Sequence, residues 1–309
     1  MAIPVLDGSL SDAKLAQAFS RAFGEVGFAY IENHGVANEL RAQVFAASAR
    51  FHAMPHDEKM SIALDQNHRG FIPIDTSTDV NSKLATVTKP NQSESFMMMR
   101  EDATPDGGYL SGPNQWPALE GFREAVTDYH DALCALGHRL MRVAALSVGA
   151  RADVFAPAFA PPTTWLRLLY YPPAPARRPD DLYGSAPHTD FGCLTILAQD
   201  NAGGLQVQTP FGDWIDVPPR ADAFVVNVGD MLHRWSNGRL RSTPHRVINL
   251  SGRARFSCPF FFDPNVAAEI APLSACVTPD RPTAWPPICF GDFLRAELSA
   301  GYDQHKDAT

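Results

Sequence analysis

Residues 188–200 read HTDFGCLTILAQD, and the same region continues to PHRV at 244–247 and RFS at 255–257. After the first three residues the chain becomes a succession of short apolar segments separated by Gly, Asn and Asp. Many short strands at near-even spacing favour a β-sandwich or a jelly roll. The strands predicted here are Thr164–Tyr171, Cys193–Ala198, Leu205–Gln208, Trp214–Val217, Ala223–Val228, His245–Leu250 and Arg255–Phe262.

A metal site is predicted at the start of this region. His188 and Asp190 are two residues apart, and side chains at that spacing on a strand point to the same face. We predict that they bind one ion, with His245 arriving from a distant strand as the third ligand. Two imidazoles and one carboxylate with open positions are typical of non-haem Fe(II) oxygenases. His233 is a rival third ligand, and a zinc-binding jelly-roll protein is an alternative, although Cys193 is expected on the opposite face from Asp190.

A second pair of residues predicts an anion site beside the metal. Arg255 and Ser257 are again two residues apart, and a planar guanidinium beside a hydroxyl is suited to bind a carboxylate. The pair therefore indicates an anchor for an acidic co-substrate. Another His-x-Asp motif, His305-Lys306-Asp307, lies in the polar tail without a strand pattern, and we predict that it is solvated and inert.

Composition limits the classes of partner and location. The chain has 26 basic and 34 acidic residues, a net charge of −8, and no long basic run, which argues against binding to nucleic acid. The 5 cysteines are scattered without a C-x-x-C pair, as in reduced intracellular proteins. No signal peptide and no apolar run long enough to span a membrane are apparent. We expect a cytoplasmic protein that is a monomer or a weak homo-oligomer and acts on a small molecule.

The chain reads as a single catalytic domain, 1–309. Residues 1–160 form a helical N-terminal region that contains an irregular, loop-rich insertion at 68–116 on the substrate side. Residues 161–265 form the jelly-roll core, and 266–309 form a C-terminal extension. Helices are predicted at about Ser11–Glu25, Ala37–Met54, Pro117–Gly149 and Asp292–Leu298, and short strands at Ile3–Leu6 and Phe28–Ile31 on either side of the first helix.

The insertion carries the candidate substrate residues. A plausible strand, Glu94–Met99, bears three methionines that either fill the core or line a pocket, because Met adapts to irregular apolar shapes. A long insertion in a compact chain is often functional. The predicted substrate residues are Phe71, Phe96, Met97, Met99 and, by position alone, Arg167.

Several short motifs occur in a fixed order along the chain. They are Gly27-Phe28, His34-Gly35-Val36, RGFIP at 69–73, GPNQWP at 112–117, LRLLYYPP at 166–173, HTD at 188–190, GGLQV at 203–207, NVGD at 227–230, SNG at 236–238, STPHRV at 242–247 and RFS at 255–257. With these motifs the sequence resembles the isopenicillin N synthase-like branch of the Fe(II)/2-oxoglutarate-dependent oxygenases. The resemblance covers nearly the whole chain.

The resemblance implies a double-stranded β-helix (jelly roll) with flanking helices. It assigns the Fe(II) ligands to His188, Asp190 and His245. It assigns the far carboxylate of 2-oxoglutarate to Arg255 and Ser257, with Tyr171 helping to hold it. The implied enzyme is a dioxygenase that uses O₂ and 2-oxoglutarate to oxidise a small organic substrate, by default hydroxylating it, and releases succinate and CO₂. The branch also contains a peptide-oxidising synthase that does not use 2-oxoglutarate and an ethylene-forming oxidase, which remain alternatives.

Overall fold

The computed structural model of the chain describes residues 2–77, 84, 87, 89–101, 108–175 and 177–301. The His305–Asp307 motif and part of the 68–116 insertion lie outside these residues. The helices are α1 Asp12–Glu25, α2 Asn38–His52, α3 His56–Met60, α4 Phe122–Ser147, α5 Asp230–Trp235 and α6 Phe290–Gly301. The strands are β1 Val5–Asp7, β2 Phe28–Glu32, β3 Gly70–Ile72, β4 Glu94–Met99, β5 Thr163–Tyr171, β6 Ser185–His188, β7 Leu194–Gln199, β8 Leu205–Gln208, β9 Trp214–Asp216, β10 Ala223–Val228, β11 His245–Val247, β12 Arg255–Asp263, β13 Glu269–Ile270 and β14 Ile288–Cys289.

Two sheets form the centre of the fold. The larger sheet has 8 strands in the order β1-β2-β10-β7-β12-β5-β4-β3, and the smaller has 4 strands in the order β6-β11-β8-β9. Apart from the parallel pair β1 and β2, neighbouring strands of these sheets are antiparallel. The insertion contributes β3 and β4, which extend the large sheet beyond β5. The region predicted as an irregular wall is therefore in part an edge of the main sheet.

Strand alternation separates two apolar cores. On β10, Phe224 and Val226 face the helices α1, α2 and α4, whereas Ala223 and Val225 face the opposite side. The first set belongs to the large core between helices and sheet. The second joins residues of β2, β5, β7, β8 and β11 in a smaller core enclosed between the two sheets. A period of two residues produces this division, because successive side chains on a strand point to opposite faces.

The predicted class, mainly β with flanking helices, is confirmed. The bounds of β4, β8 and β10 match the prediction, and the other predicted strands and helices are present with shifted ends. The prediction that His188 and Asp190 share a strand is wrong, because β6 ends at His188. Elements β3, β6, β13, β14, α3 and α5 were not predicted. Among the residues described, no helix is both long enough and apolar enough to cross a membrane.

Candidate metal centre and its cavity

The three predicted metal ligands lie close together at one end of strands β6 and β11 of the smaller sheet. His188 ends β6 and His245 begins β11, and the two are direct partners in the antiparallel pairing of these strands. Asp190 follows two residues after β6. Its Oδ1 atom lies 3.6 Å from Nε2 of each histidine. The three ligand atoms all lie within 4.8 Å of one another, as side chains that share one ion do.

Backbone carbonyls orient both imidazoles in the same way. Nδ1 of His188 donates to the Ala186 carbonyl at 2.7 Å, and Nδ1 of His245 lies 3.3 Å from the Thr243 carbonyl. A carbonyl can only accept, so Nδ1 carries the proton and Nε2 keeps its lone pair toward Asp190. Metal-binding histidines are fixed by such outer hydrogen bonds.

Asp190 is held as an ionised carboxylate. Its Oδ2 atom accepts hydrogen bonds from Asn227 Nδ2, at 2.7 Å, and from the Thr195 hydroxyl. Burial raises the pKa of Asp190. The positive charge of the two histidines when they are protonated, together with the two hydrogen bonds, outweighs burial, so the pKa lies below its ordinary value. Oδ1 is left as the ligand atom.

The rival ligand His233 lies elsewhere. It is part of α5, its Nδ1 atom bonds the Leu240 carbonyl at 2.6 Å, and its ring packs on Trp285. Within the described ranges, the one group of three or more potential ligands that is close enough to bind an ion is the His188, Asp190 and His245 set, and Cys193 does not join it. Burial raises the pKa of the Cys193 thiol well above its usual value, which disfavours a thiolate ligand. This donor set fits Fe(II) better than a thiolate zinc site.

A buried arginine lies inside the barrel. Arg255 is 1% exposed. Its Nε donates to the Gly203 carbonyl at 2.8 Å, Nη1 to Ser257 Oγ at 3.1 Å and Nη2 to Gln199 Oε1 at 3.3 Å. The guanidinium carbon lies 4.6 Å from the centre of the Tyr171 ring. The structure therefore brings the three predicted co-substrate residues together around one buried positive charge.

All three hydrogen-bond acceptors of the Arg255 guanidinium are neutral groups. No Asp or Glu of the described part of the chain forms an ion pair with Arg255. Arginine stays charged at any physiological pH, and a buried charge without a counter-ion is costly. A carboxylate brought by a ligand would supply that counter-ion, so these residues fit 2-oxoglutarate.

A cavity of about 120 Å³ adjoins the metal ligands. Its lining comprises His68, Met97, Trp165, Arg167, His188, Thr189, Asp190, Phe191, Gly192, Phe261, Asp263, Leu294 and Leu298. Two of the five predicted substrate residues, Met97 and Arg167, are among them. The cavity is therefore formed jointly by the insertion, the barrel strands and α6.

The other predicted substrate residues are not brought to this cavity. Phe71 and Phe96 are fully buried and pack against Phe51 in the core between helices and sheet. Met99 lines a neighbouring cavity with Arg69. β4 pairs with β5 in a register that places Met97 opposite Arg167, so Met97 is on the face of β4 toward the metal ligands. Phe96, the next residue along the strand, is on the opposite face.

Several cavity residues were not predicted. Phe261 and Asp263 continue the alternating series that begins with Arg255 and Ser257 on β12, so extension of that series would have identified them. Trp165 stands two residues before Arg167 on β5 and could have been found in the same way. Two further lining residues, Leu294 and Leu298, belong to α6. Nothing in the sequence around them predicts this role, because the position of α6 over the cavity depends on tertiary packing.

Asp263 is a buried carboxyl group at the end of the cavity. Its Oδ1 accepts the Cys193 backbone N–H at 2.8 Å, and its Oδ2 accepts the Trp165 indole N–H at 3.1 Å. Burial raises the pKa of Asp263 to about 7 despite these bonds, with a further contribution from the charge of Asp190. The group therefore titrates near neutral pH.

Comparison with known proteins identifies the family. Residues 162–264 match the 2OG-Fe(II) oxygenase superfamily, and residues 3–119 match the family described as non-haem dioxygenase in morphine synthesis N-terminal. A 2-oxoglutarate-Fe(II) type oxidoreductase of Emericella nidulans is 35% identical, over 97% of this chain and 90% of the relative. Homoarginine-6-hydroxylase of Oryza sativa subsp. japonica is 32% identical, over 89% of each chain.

Solved structures agree in fold over almost the full length. A full-length Neurospora crassa protein in complex with alpha-KG superposes with a TM-score of 0.86 and 30% identity, covering 96% of both chains. The same protein in complex with alpha-KG and thymine gives a TM-score of 0.85 and 29% identity, again covering 96% of both. These matches confirm the predicted jelly-roll fold, the iron and 2-oxoglutarate chemistry and the use of O₂ as oxidant. The chain belongs to the 2OG-Fe(II) oxygenase superfamily and is an Fe(II)- and 2-oxoglutarate-dependent dioxygenase.

Proposed function

We propose that His188, Asp190 and His245 bind the Fe(II), and that Arg255 with Ser257 and Tyr171 binds the far carboxylate of 2-oxoglutarate. The enzyme then hydroxylates a small organic molecule that occupies the cavity beside the triad. The observation that carries this proposal is the pairing of a preorganised two-histidine, one-carboxylate set with a buried guanidinium that lacks a counter-ion.

Each group of residues has a distinct task. Bound Fe(II), with 2-oxoglutarate and O₂, supplies the oxidising chemistry that ends in succinate and CO₂. The carbonyls of Ala186 and Thr243 hold the proton of each histidine on Nδ1 and keep Nε2 available as a ligand. Arg255 fixes one end of the co-substrate by charge-assisted hydrogen bonds, which orients its other end. Apolar cavity residues exclude water from the reacting atoms.

The substrate is proposed to be a small molecule for two reasons. The cavity of about 120 Å³ admits a body of about one ring, since an engineered cavity of roughly 150 Å³ is known to take benzene. Thymine, bound by the Neurospora crassa protein, is a molecule of that size. The oligomeric form is proposed to be a monomer or a weak homo-oligomer. The five cysteines are free thiols, which supports a reducing compartment such as the cytoplasm.

The direct test is formation of succinate. Purified protein incubated with Fe(II), 2-oxoglutarate and air is expected to produce succinate slowly, and faster when a library of small ring compounds includes a substrate. Mass spectrometry should find the product heavier than that substrate by one oxygen atom. Succinate formation that is equal with and without added Fe(II), or that is unchanged in His188→Ala, would contradict the proposal. Oxidation of a substrate without consumption of 2-oxoglutarate would instead place the chain with the synthase-type members of the branch.

A further inference from the structure

A second arginine in the active-site cavity also lacks a counter-ion. Nε of Arg167 donates to Ser95 Oγ at 2.8 Å. Its Nη2 atom is buried and has no hydrogen-bond partner. Within the residues that the structure describes, no carboxylate forms an ion pair with this guanidinium. Arg167 lines the same cavity as His188 and Asp190, so its guanidinium lies beside the space proposed for the substrate.

The position of Arg167 separates it from the co-substrate anchor. On β5, Tyr171 is the cross-strand partner of Arg255, and Arg167 stands four residues earlier on the same face. At ~3.3 Å per residue, these two positions are roughly 13 Å apart along the strand. Met97 is the partner of Arg167 on the other side. The two guanidinium groups therefore lie at different positions along β5, and only Arg255 is next to Tyr171.

The remaining acid of the cavity does not neutralise Arg167. Asp263 uses Oδ1 to accept the Cys193 N–H and Oδ2 to accept the Trp165 indole N–H. Asp190 faces the two histidines and, by the proposed function, the iron. A permanently charged guanidinium with a buried, unused donor is costly unless a ligand brings negative charge. The missing partner is thus expected to come with the substrate.

We propose that the substrate is a small organic acid and that Arg167 binds its carboxylate as the specificity-determining residue. The body of this acid packs among Met97, Trp165 and Leu294, where the cavity has room for about one ring or a short branched chain. The inference rests on the proposed function, since it takes the cavity beside the triad as the substrate site. Beyond the proposed function, the inference specifies that the substrate is negatively charged and that Arg167 recognises this charge.

The test compares acids with amides of the same shape. Full-length protein is loaded with Fe(II) and saturating 2-oxoglutarate without O₂, and binding is measured calorimetrically for benzoate against benzamide and for cyclohexanecarboxylate against cyclohexanecarboxamide. Wild type is expected to bind at least one acid roughly ten- to a hundredfold more tightly than its amide, as a charge-assisted hydrogen bond predicts. Arg167→Gln should abolish this preference while the affinity for 2-oxoglutarate stays within about twofold. Arg151→Gln, a change of the same kind at an exposed ion pair, is the matched control and should keep the preference.

Arg167→Lys gives a second variant in case Arg167→Gln does not fold. It keeps the charge but not the planar pair of donors, so the preference for the acid should persist at a reduced level. The proposal is overturned if wild type binds amides as well as acids, if neither acid shows saturable binding, or if the preference survives in Arg167→Gln. A loss of 2-oxoglutarate affinity above about tenfold in Arg167→Gln also overturns it, because Arg167 would then belong to the co-substrate. Failure of wild type to bind 2-oxoglutarate at all would instead refute the proposed function.

Discussion

His188 and His245 are direct partners across two antiparallel strands, with ring centroids 4.3 Å apart and ring planes inclined by 54°. The backbone ladder of β6 and β11 therefore sets their spacing, and the carbonyls of Ala186 and Thr243 set their orientation. A site arranged by the sheet in this way should remain folded when one ligand is removed.

The first prediction follows from this arrangement. His188→Ala, Asp190→Ala and His245→Ala should each lose most bound iron and all measurable turnover, because two ligands hold the ion far less well than three. Iron content after gel filtration and succinate formation are the measurements, with far-ultraviolet circular dichroism to show that the fold persists. His233→Ala is the control and should keep its iron. An empty site in His233→Ala together with full activity in His245→Ala would reverse the assignment.

The second prediction concerns the co-substrate. Arg255→Gln should weaken 2-oxoglutarate binding by ~2–5 kcal/mol, or roughly thirtyfold to several thousandfold, because the carboxylate loses a buried charged partner. Arg255→Lys should restore little of the lost affinity, because an ammonium group cannot make the bidentate contact of a guanidinium. Calorimetric titration of 2-oxoglutarate checks this, with iron content expected to be unchanged. Arg253→Gln, on the exposed approach to the same strand, is the control. An unaltered dissociation constant in Arg255→Gln would move the anchor elsewhere.

The sequence predicted best those elements that are determined by local pattern. β4, β8 and β10 were placed at their observed bounds. β8 alternates apolar and polar residues, β10 is rich in valine, and turn residues flank both. The four-residue strand β6 was missed, since it contains Pro187 and is defined by its pairing with distant β11. α5 has only six residues and is stabilised by the burial of Met231, Leu232 and Trp235, not by a long periodic pattern.

The candidate site shows the same division. The metal and co-substrate residues could be recognised because motifs mark them, whereas the cavity wall required knowledge of which face of β4 meets the site. If the register of β4 shifts by one residue, Phe96 takes the place of Met97 on the face toward the cavity. The sequence of β4 does not decide between the two registers, because it is apolar on both faces. Leu294 reaches the cavity through the packing of α6, which nothing near it in sequence specifies.

The third prediction concerns a residue that does not touch the metal. Asn227 donates a hydrogen bond of 2.7 Å to Asp190 and is 2% exposed. Loss of such an outer partner typically lowers metal affinity 10–100-fold, so Asn227→Ala should weaken iron binding by roughly that factor. With one hydrogen bond gone, the pKa of Asp190 should also rise. Iron titrations test the loss of affinity against Asn201→Ala, an exposed control. Equal affinity in both variants would show that the bond is dispensable.

The fourth prediction is a pH dependence of stability in the metal-free protein. The pKa of Asp263 is raised by burial from 3.8 to about 7. Between these values the folded protein keeps a proton that the unfolded chain has released, so Asp263 makes stability fall as pH rises from about 4 to about 7 and leaves it level above that. The expected size is roughly 3–4 kcal/mol. Buried His130, whose pKa is lowered by burial, acts in the opposite direction, so wild type must be compared with a variant.

Asp263→Asn provides that comparison. Its amide cannot accept hydrogen bonds on both sides, so it should be less stable than wild type at pH 5, with the deficit shrinking toward pH 8. Urea unfolding of both metal-free proteins at several pH values gives the two slopes. Parallel pH profiles would show that Asp263 has an ordinary pKa in the folded state.

The fifth prediction uses two methionines of one strand. Met97 and Met99 are equally buried at 3% and lie on the same face of β4, but Met97 lines the cavity beside the triad and Met99 lines the neighbouring one. Each change to Ala should cost ~2–5 kcal/mol of stability, because both delete a buried side chain. Only Met97→Ala should change which ring compounds stimulate succinate formation, with larger rings accepted and substrate-free turnover of 2-oxoglutarate near the wild-type rate. If Met99→Ala altered selectivity as much as Met97→Ala, the effect would come from general loosening of the strand, and the cavity wall would have to be sought among Trp165, Phe191 and α6.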